Sequence, residues 1–266
     1  MKALHRITIL LFVLALGVYF GVQYYYNTTL DRVSPVLNCG DEILDVSVRD
    51  GDAALLAGVT ATDNVDGDLT DQIMIQGVSR LLSADTARVT YVVFDSSNNM
   101  ATCSRMIRYT DYEAPRIQLE EPLVFYTYPQ SDCMTEMASM FKAQDVLDGD
   151  ISDRLQITST NISDSYEGTY SAVVQVINSL GDVESVPVKV VISNSGAAKQ
   201  LIELSRYVTY VNRSSVFDPD SYITYSAARV QIESNVDTGT PGCYQVRYSC
   251  EANGQSYEVY MAVVVR

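Results

Sequence analysis

The chain has 266 residues, 47% of them hydrophobic and 19% charged, which is enough for about two domains with real cores. Its net charge of −15 disfavours nucleic acid and anionic lipid surfaces as partners. The one histidine, His5, lies at the extreme N-terminus, so Ser-His-Asp, Cys-His and His-ligated zinc chemistry are excluded from everything beyond it.

Lys2 and Arg6 precede an apolar run from Ile7 to Val22, and Tyr24–Tyr26 follow it. The run predicts a short transmembrane helix over residues 1–28, with the tyrosines as an interfacial belt. Neither a small-x-small cleavage pattern nor a lipobox cysteine follows at the right distance, so an uncleaved anchor is expected over a cleaved signal peptide. The basic flank places the N-terminus in the cytoplasm and the rest of the chain outside the cell membrane.

Beyond the anchor, "DNVDGDLTDQI" at 63–73 recurs as "DVLDGDISDRL" at 145–155. "SPVL" at 34–37 answers to "APRI" at 114–117. Alternating runs follow at 87–102 and 168–185, with a further one at 242–255. Alternation punctuated by "SSNN", "SLGD" and "ANGQ" reads as β-hairpins. Three units result, at 34–111, 112–194 and, more divergent, 199–266. Short strands with frequent turns and no strand–helix alternation predict an all-β chain of tandem antiparallel sandwiches. "CMTEMASMFKAQ" at 133–144 has room for one or two helical turns.

Parity assigns the core faces. Ala87, Val89, Tyr91 and Val93 form one, Tyr170, Ala172, Val174 and Val176 the second, and Tyr244, Val246, Tyr248 and Cys250 the third. Cys250 is therefore expected inside and Cys243 outside. Cys39 and Cys103, in the first and last strands of the first unit, are the expected disulfide among five cysteines.

"ATDNVDGDLTDQI", "VTYVVFDSSNNMATCSRMIRY" and the later "GTY" at 168–170 together resemble the immunoglobulin-like repeat of bacterial surface proteins, a type also found in pesticidal crystal proteins. Asn98 stands where that family has glycine, and Asn tolerates the left-handed backbone such a turn needs. In the second unit Asn64 becomes Val146 and Asp95 becomes Asn178, and the third has lost the acidic loop. The resemblance implies a bacterial envelope protein with Ig-like modules acting as spacers or adhesive elements.

The acidic loops have two readings. Asp63, Asp66 and Asp68, with Asp145, Asp148 and Asp150, supply enough oxygen for Ca²⁺, although the spacing is not that of an EF-hand. The favoured reading is that these residues shape Asx turns and bind no cofactor, with glycine supplying positive φ. A glycosidase-type carboxylate pair is disfavoured because no cleft-forming insertion is visible. "SMFK" at 139–142 matches S-x-x-K but lacks the accompanying S-D-N and K-T-G elements. In "EEPLVFYTY", either Leu123 with Phe125 or Val124 with Tyr126 and Tyr128 is expected to fill the core. Together these features predict a non-catalytic protein, held in the membrane by its N-terminal helix, that spaces or binds an extracellular protein or glycan partner and no nucleic acid. The alternative is an accessory subunit or divergent enzyme acting on cell-wall or extracellular glycans.

Overall fold

A computed structural model describes residues 2–29, 31–127, 133–163, 165–194, 201–252 and 254–266. The first element is a helix over Lys2–Thr29. Within it His5–Tyr26 is a 22-residue stretch of mean hydropathy 2.0 with none of its residues buried. At about 1.5 Å per residue it is about 33 Å long, against a hydrocarbon layer of about 30 Å. The described residues after it are mainly β-strands, with short helices at Asp52–Leu55 and Cys133–Met140 and three 3₁₀ turns.

The chain divides into two compact units, Met1–Thr110 and Asp111–Arg266. In the first, Val36–Asn38, Thr60–Asp63 and Gly67–Asp68 make a three-stranded sheet, and Leu44–Val46, Met100–Tyr109, Thr86–Phe94 and Met74–Val78 a four-stranded one. The chain crosses from one sheet to the other between Asn38 and Leu44. Leu44–Val46 consequently runs parallel to the last strand, a departure from the purely antiparallel expectation. The same crossing puts Val124–Tyr126 parallel to Val183–Ser193 and Val208–Val211 parallel to Gln255–Val265. All three repeats therefore share the order of the four-stranded sheet, including the third, where the smaller sheet has two strands instead of three and the sequence signature is faint.

The predicted faces are the buried ones. Ala87, Val89, Tyr91 and Val93 have no exposed surface, Ala172, Val174, Val176, Val246, Tyr248 and Cys250 are buried in their own repeats, and Tyr170 and Tyr244 are partly buried against the core. Cys243 is exposed. Asn98 takes φ 63°, and Gly181 at the corresponding turn takes 76°, so the asparagine does replace the glycine. Helix Cys133–Met140 occupies the place expected of it and buries Cys133 and Met137. Leu123, Val124 and Phe125 are all buried and Tyr126 is exposed, so both predicted faces of that strand meet apolar surroundings. Tyr128 lies outside the described residues.

In the second unit the two repeats share one hydrophobic core running from Ile117 to Val265. The cause is visible in two strands that abandon alternation. Val190, Val191 and Ile192 are buried in succession, as are Met261 to Val265, the pattern of strands covered on both faces. Polar bonds fasten the same seam. The Tyr207 amide donates to the Leu119 carbonyl at 2.7 Å, the Ile117 amide to the Tyr210 hydroxyl at 2.7 Å, and the Gln245 side-chain amide to the Pro187 carbonyl at 2.8 Å. The Arg266 guanidinium lies 4.5 Å from the Tyr210 ring centre, pairs with Glu184 at 2.7 Å and donates to the Pro115 carbonyl at 2.8 Å.

A disulfide joins Cys39, at the end of the first strand, to Cys103 in the opposite sheet, with Cα atoms 6.2 Å apart and a sequence separation of 64. A loop of that size limits the unfolded chain by about 4 kcal/mol. Chemical denaturation of a Cys39→Ser/Cys103→Ser variant should show the first unit weakened by up to that amount and the second unchanged. Met261→Ala should cost the second unit about 2–5 kcal/mol. Because the core is shared, hydrogen exchange should show protection lost in strand Val183–Ser193 as well as in the mutated strand.

Candidate functional site

The acidic loops are built alike, each carboxylate answering a backbone amide that the turn leaves unpaired. Asp63 Oδ1 accepts the amides of Val65 at 2.8 Å and Asp66 at 3.0 Å. Asp145 Oδ1 accepts those of Leu147 and Asp148, both at 2.9 Å. Asp68 Oδ1 accepts the Thr70 amide at 2.9 Å and Asp150 Oδ1 the Ser152 amide at 3.0 Å, each at the start of a short 3₁₀ turn. The Thr70 and Ser152 hydroxyls in turn accept the amides of Ala61 and Ala143. Gly67 and Gly149, at φ 77° and 73°, make the reversal that returns the chain to its partner strand.

The middle aspartate reaches across the sandwich. Asp66 Oδ2 accepts both the amide and the hydroxyl of Ser96, each at 2.9 Å. Asp148 accepts the Ser179 amide and hydroxyl, each at 2.7 Å, and pairs with Arg154 at 2.6 Å. Ser96 and Ser179 sit in the hairpin turns of the four-stranded sheets, so this aspartate ties the two sheets of its repeat together.

These bonds account for the carboxyl acidities. Asp63 is held below the usual carboxylate range by the amides of Asp66 and Val65. The hydroxyl and amide of Thr70 lower Asp68, and those of Ser152 lower Asp150. Burial pushes Asp148 up, but Ser179 and Arg154 outweigh it and the net direction is down.

The six aspartates predicted as one kind of site therefore divide. Asp66, Asp68, Asp148 and Asp150 are committed to amides, hydroxyls and an arginine. Asp63 instead converges with two residues that sequence reasoning did not place beside it: one carboxylate oxygen each from Asp31, Asp63 and Asp95 lies within 4.8 Å of the others. Asp95, only 6% exposed, accepts the amides of Ser97 and Asn99 on Oδ1 and the Asn99 side-chain amide on Oδ2. Asp31 Oδ1 accepts the Val33 amide. Asp31 Oδ2 and Asp63 Oδ2 are closed off from solvent and have no hydrogen-bond partner. Asp95 had one signal in the sequence, its replacement by Asn178 in the second repeat; Asp31, before the first strand, had none.

At the second repeat's counterpart, Asn178 donates to Asp145 Oδ2 at 3.1 Å and to the Tyr112 hydroxyl at 2.7 Å, and that hydroxyl donates to Asp182 at 2.8 Å. Burial and Asp182 push the Tyr112 phenol well up, so it keeps its proton and the donor chain is complete. The S-x-x-K residues are occupied separately: the Ser139 hydroxyl donates to the Glu136 carbonyl, and Lys142 pairs with Glu120 at 3.8 Å.

No protein family matches the chain, and no curated protein does. Among solved structures, it is similar to CBM51-2 in complex with GlcNAc and INT domains from Clostridium perfringens ZmpB, at 19% identity and TM-score 0.25 over 57% of this chain. The chain spans 26% of that structure's length. A lipoprotein from Bacteroides thetaiotaomicron is similar at 12% identity and TM-score 0.21, over 85% of this chain and 98% of that one. The protocadherin gamma-B4 extracellular domain is similar at 11% identity and TM-score 0.20, over 87% of this chain and 49% of that one.

The lowered carboxyls set an acid limit. Each contributes stability that is complete above the unfolded value of about 3.9 and is lost as the pH falls through its folded value. Thermal melting between pH 6 and 2 should therefore drop most steeply below about pH 4. Asp148→Asn should be less stable than the native chain by about 1–3 kcal/mol at pH 7. That difference should close towards pH 2, and a gap of constant size across the range would show that the Asp148 charge is not the cause.

Proposed function

We propose that the chain is a single-span membrane protein that displays its β-sandwiches outside the cytoplasm, where they space or bind an extracellular protein or glycan partner without catalysis. The observation that carries this reading is the apolar stretch His5–Tyr26, none of whose residues is buried. Leu10, Phe12, Leu14 and Phe20 each expose about three-fifths or more of their surface, an arrangement stable in hydrocarbon and costly in water. Lys2 and Arg6 orient that helix with its N-terminus in the cytoplasm.

Two further observations agree with that orientation. The Cys39–Cys103 disulfide belongs to an oxidising compartment. Residues beyond the basic tip carry 16 basic against 33 acidic side chains, a balance suited to a solvated surface and to basic or neutral partners. The non-catalytic reading draws on the acidic loops, whose carboxylates serve mainly to satisfy backbone amides and join sheets.

The test compares the full chain with a version beginning at residue 31. After alkaline carbonate washing, the full chain should remain with the membranes and the shortened one should not. Protease added to intact cells should remove the sandwiches and spare only the helix and its basic tip. Release of the full chain by carbonate, or a mature N-terminus beyond residue 26 found by mass spectrometry, would replace the anchor with a cleaved signal.

A further inference from the structure

The carboxylate cluster of the first repeat holds two oxygens that no donor reaches. Asp31 comes from the segment after the N-terminal helix, Asp63 from the acidic loop and Asp95 from the hairpin of the opposite sheet. Asn99 supplies donors nearby, to Asp95 Oδ2 at 2.7 Å and to the Asp31 carbonyl at 3.1 Å. Asp31 Oδ2 and Asp63 Oδ2 receive none. Oxygens shut away from water with no donor cost free energy unless something positive lies between them.

The second repeat shows how the same fold closes this place from within. Asn178 stands where the first repeat has Asp95, which removes one negative charge, and its amide nitrogen donates to Asp145 Oδ2. The oxygen corresponding to the orphaned Asp63 Oδ2 is thereby satisfied. In the first repeat a carboxylate occupies that position and has no hydrogen to give.

We propose that the first repeat binds one hard divalent cation of the calcium class through Asp31, Asp63 and Asp95, and that the second repeat binds none. The ligand oxygens all lie within 4.8 Å of one another, which brings three carboxylates to one place where an ion taking oxygens at about 2.3–2.6 Å can draw on all of them. Waters and backbone carbonyls complete the six to eight oxygens that calcium takes. With Asp31 as a ligand, the ion also ties the segment leaving the helix to both sheets of the first sandwich. This inference stands apart from the membrane reading, since the cluster is the same whichever compartment holds it.

Calorimetric titration of CaCl₂ into the EDTA-stripped full chain in detergent tests it, with melting followed in parallel. One ion per chain is expected, with a rise in the melting temperature of the first unit alone. Asp95→Asn, which reproduces the second repeat, should weaken binding at least tenfold while circular dichroism stays native. Asp31→Asn should weaken it likewise without touching either sheet, and Asp150→Asn should bind as the native chain does. No saturable binding up to millimolar calcium, two ions per chain, or unchanged binding in both Asp95→Asn and Asp31→Asn would each overturn the proposal.

Discussion

The bond from the middle aspartate of each acidic loop to a serine in the opposite hairpin holds the architecture of the first two repeats. A β-sandwich has apolar contact between its sheets, but its ends are turns whose amides point away from any ladder and need acceptors. Asp66 and Asp148 supply them from the facing sheet, accepting both amide and hydroxyl of Ser96 and Ser179. The flanking aspartates finish the same task locally. An aspartate carboxylate suits this because it is short, accepts several bonds at once and is strengthened by its charge. The third repeat keeps the strand order without the loop because its end is closed differently: Asp218 caps the 3₁₀ turn Pro219–Tyr222, and the Tyr248 hydroxyl reaches the Pro219 carbonyl at 2.9 Å.

The second and third repeats are held by a different interaction. Their facing strands carry apolar residues on both sides, so neither repeat could be left alone in water without exposing Val191, Ala262 and Val264. Burial of those side chains makes the two repeats one cooperative body. The polar bonds of Tyr207, Gln245 and Arg266 orient the seam rather than supply its main stabilisation. The outward-facing Cys243 lies beside it, its thiol pushed up by burial against this surface.

Between the first and second repeats, the change from Asp95 to Asn178 alters the chemistry at the same end of the sandwich. Where Asn178 makes a hydrogen-bonded chain with Asp145, Tyr112 and Asp182, Asp95 makes a concentration of carboxylate. The backbone is the same in both places, down to the irregular pairing after Ile75 and Ile157. A repeated fold thus carries a repeated framework and an unrepeated charge pattern, and specific chemistry resides in the second.

The sequence by itself determined the apolar helix, the repeats, the hairpins and their core faces, because alternation and turn residues act over distances of a few residues. It also held the pairing of Cys39 with Cys103 and the left-handed turn at Asn98. The runs "VVI" at 190–192 and "MAVVV" at 261–265 are unbroken apolar stretches, but only the structure shows them buried on both faces and what covers the second one. Tertiary structure alone decided that the last two repeats share a core. It alone brought Asp31 to Asp63 and Asp95, residues separated by more than thirty positions at each step, and left Asp66 and Asp68 out. Local spacing grouped the aspartates that are neighbours along the chain. The carboxylates that meet are those the crossing of two sheets brings to the same end of the sandwich, a long-range consequence of topology that no short-range pattern encodes.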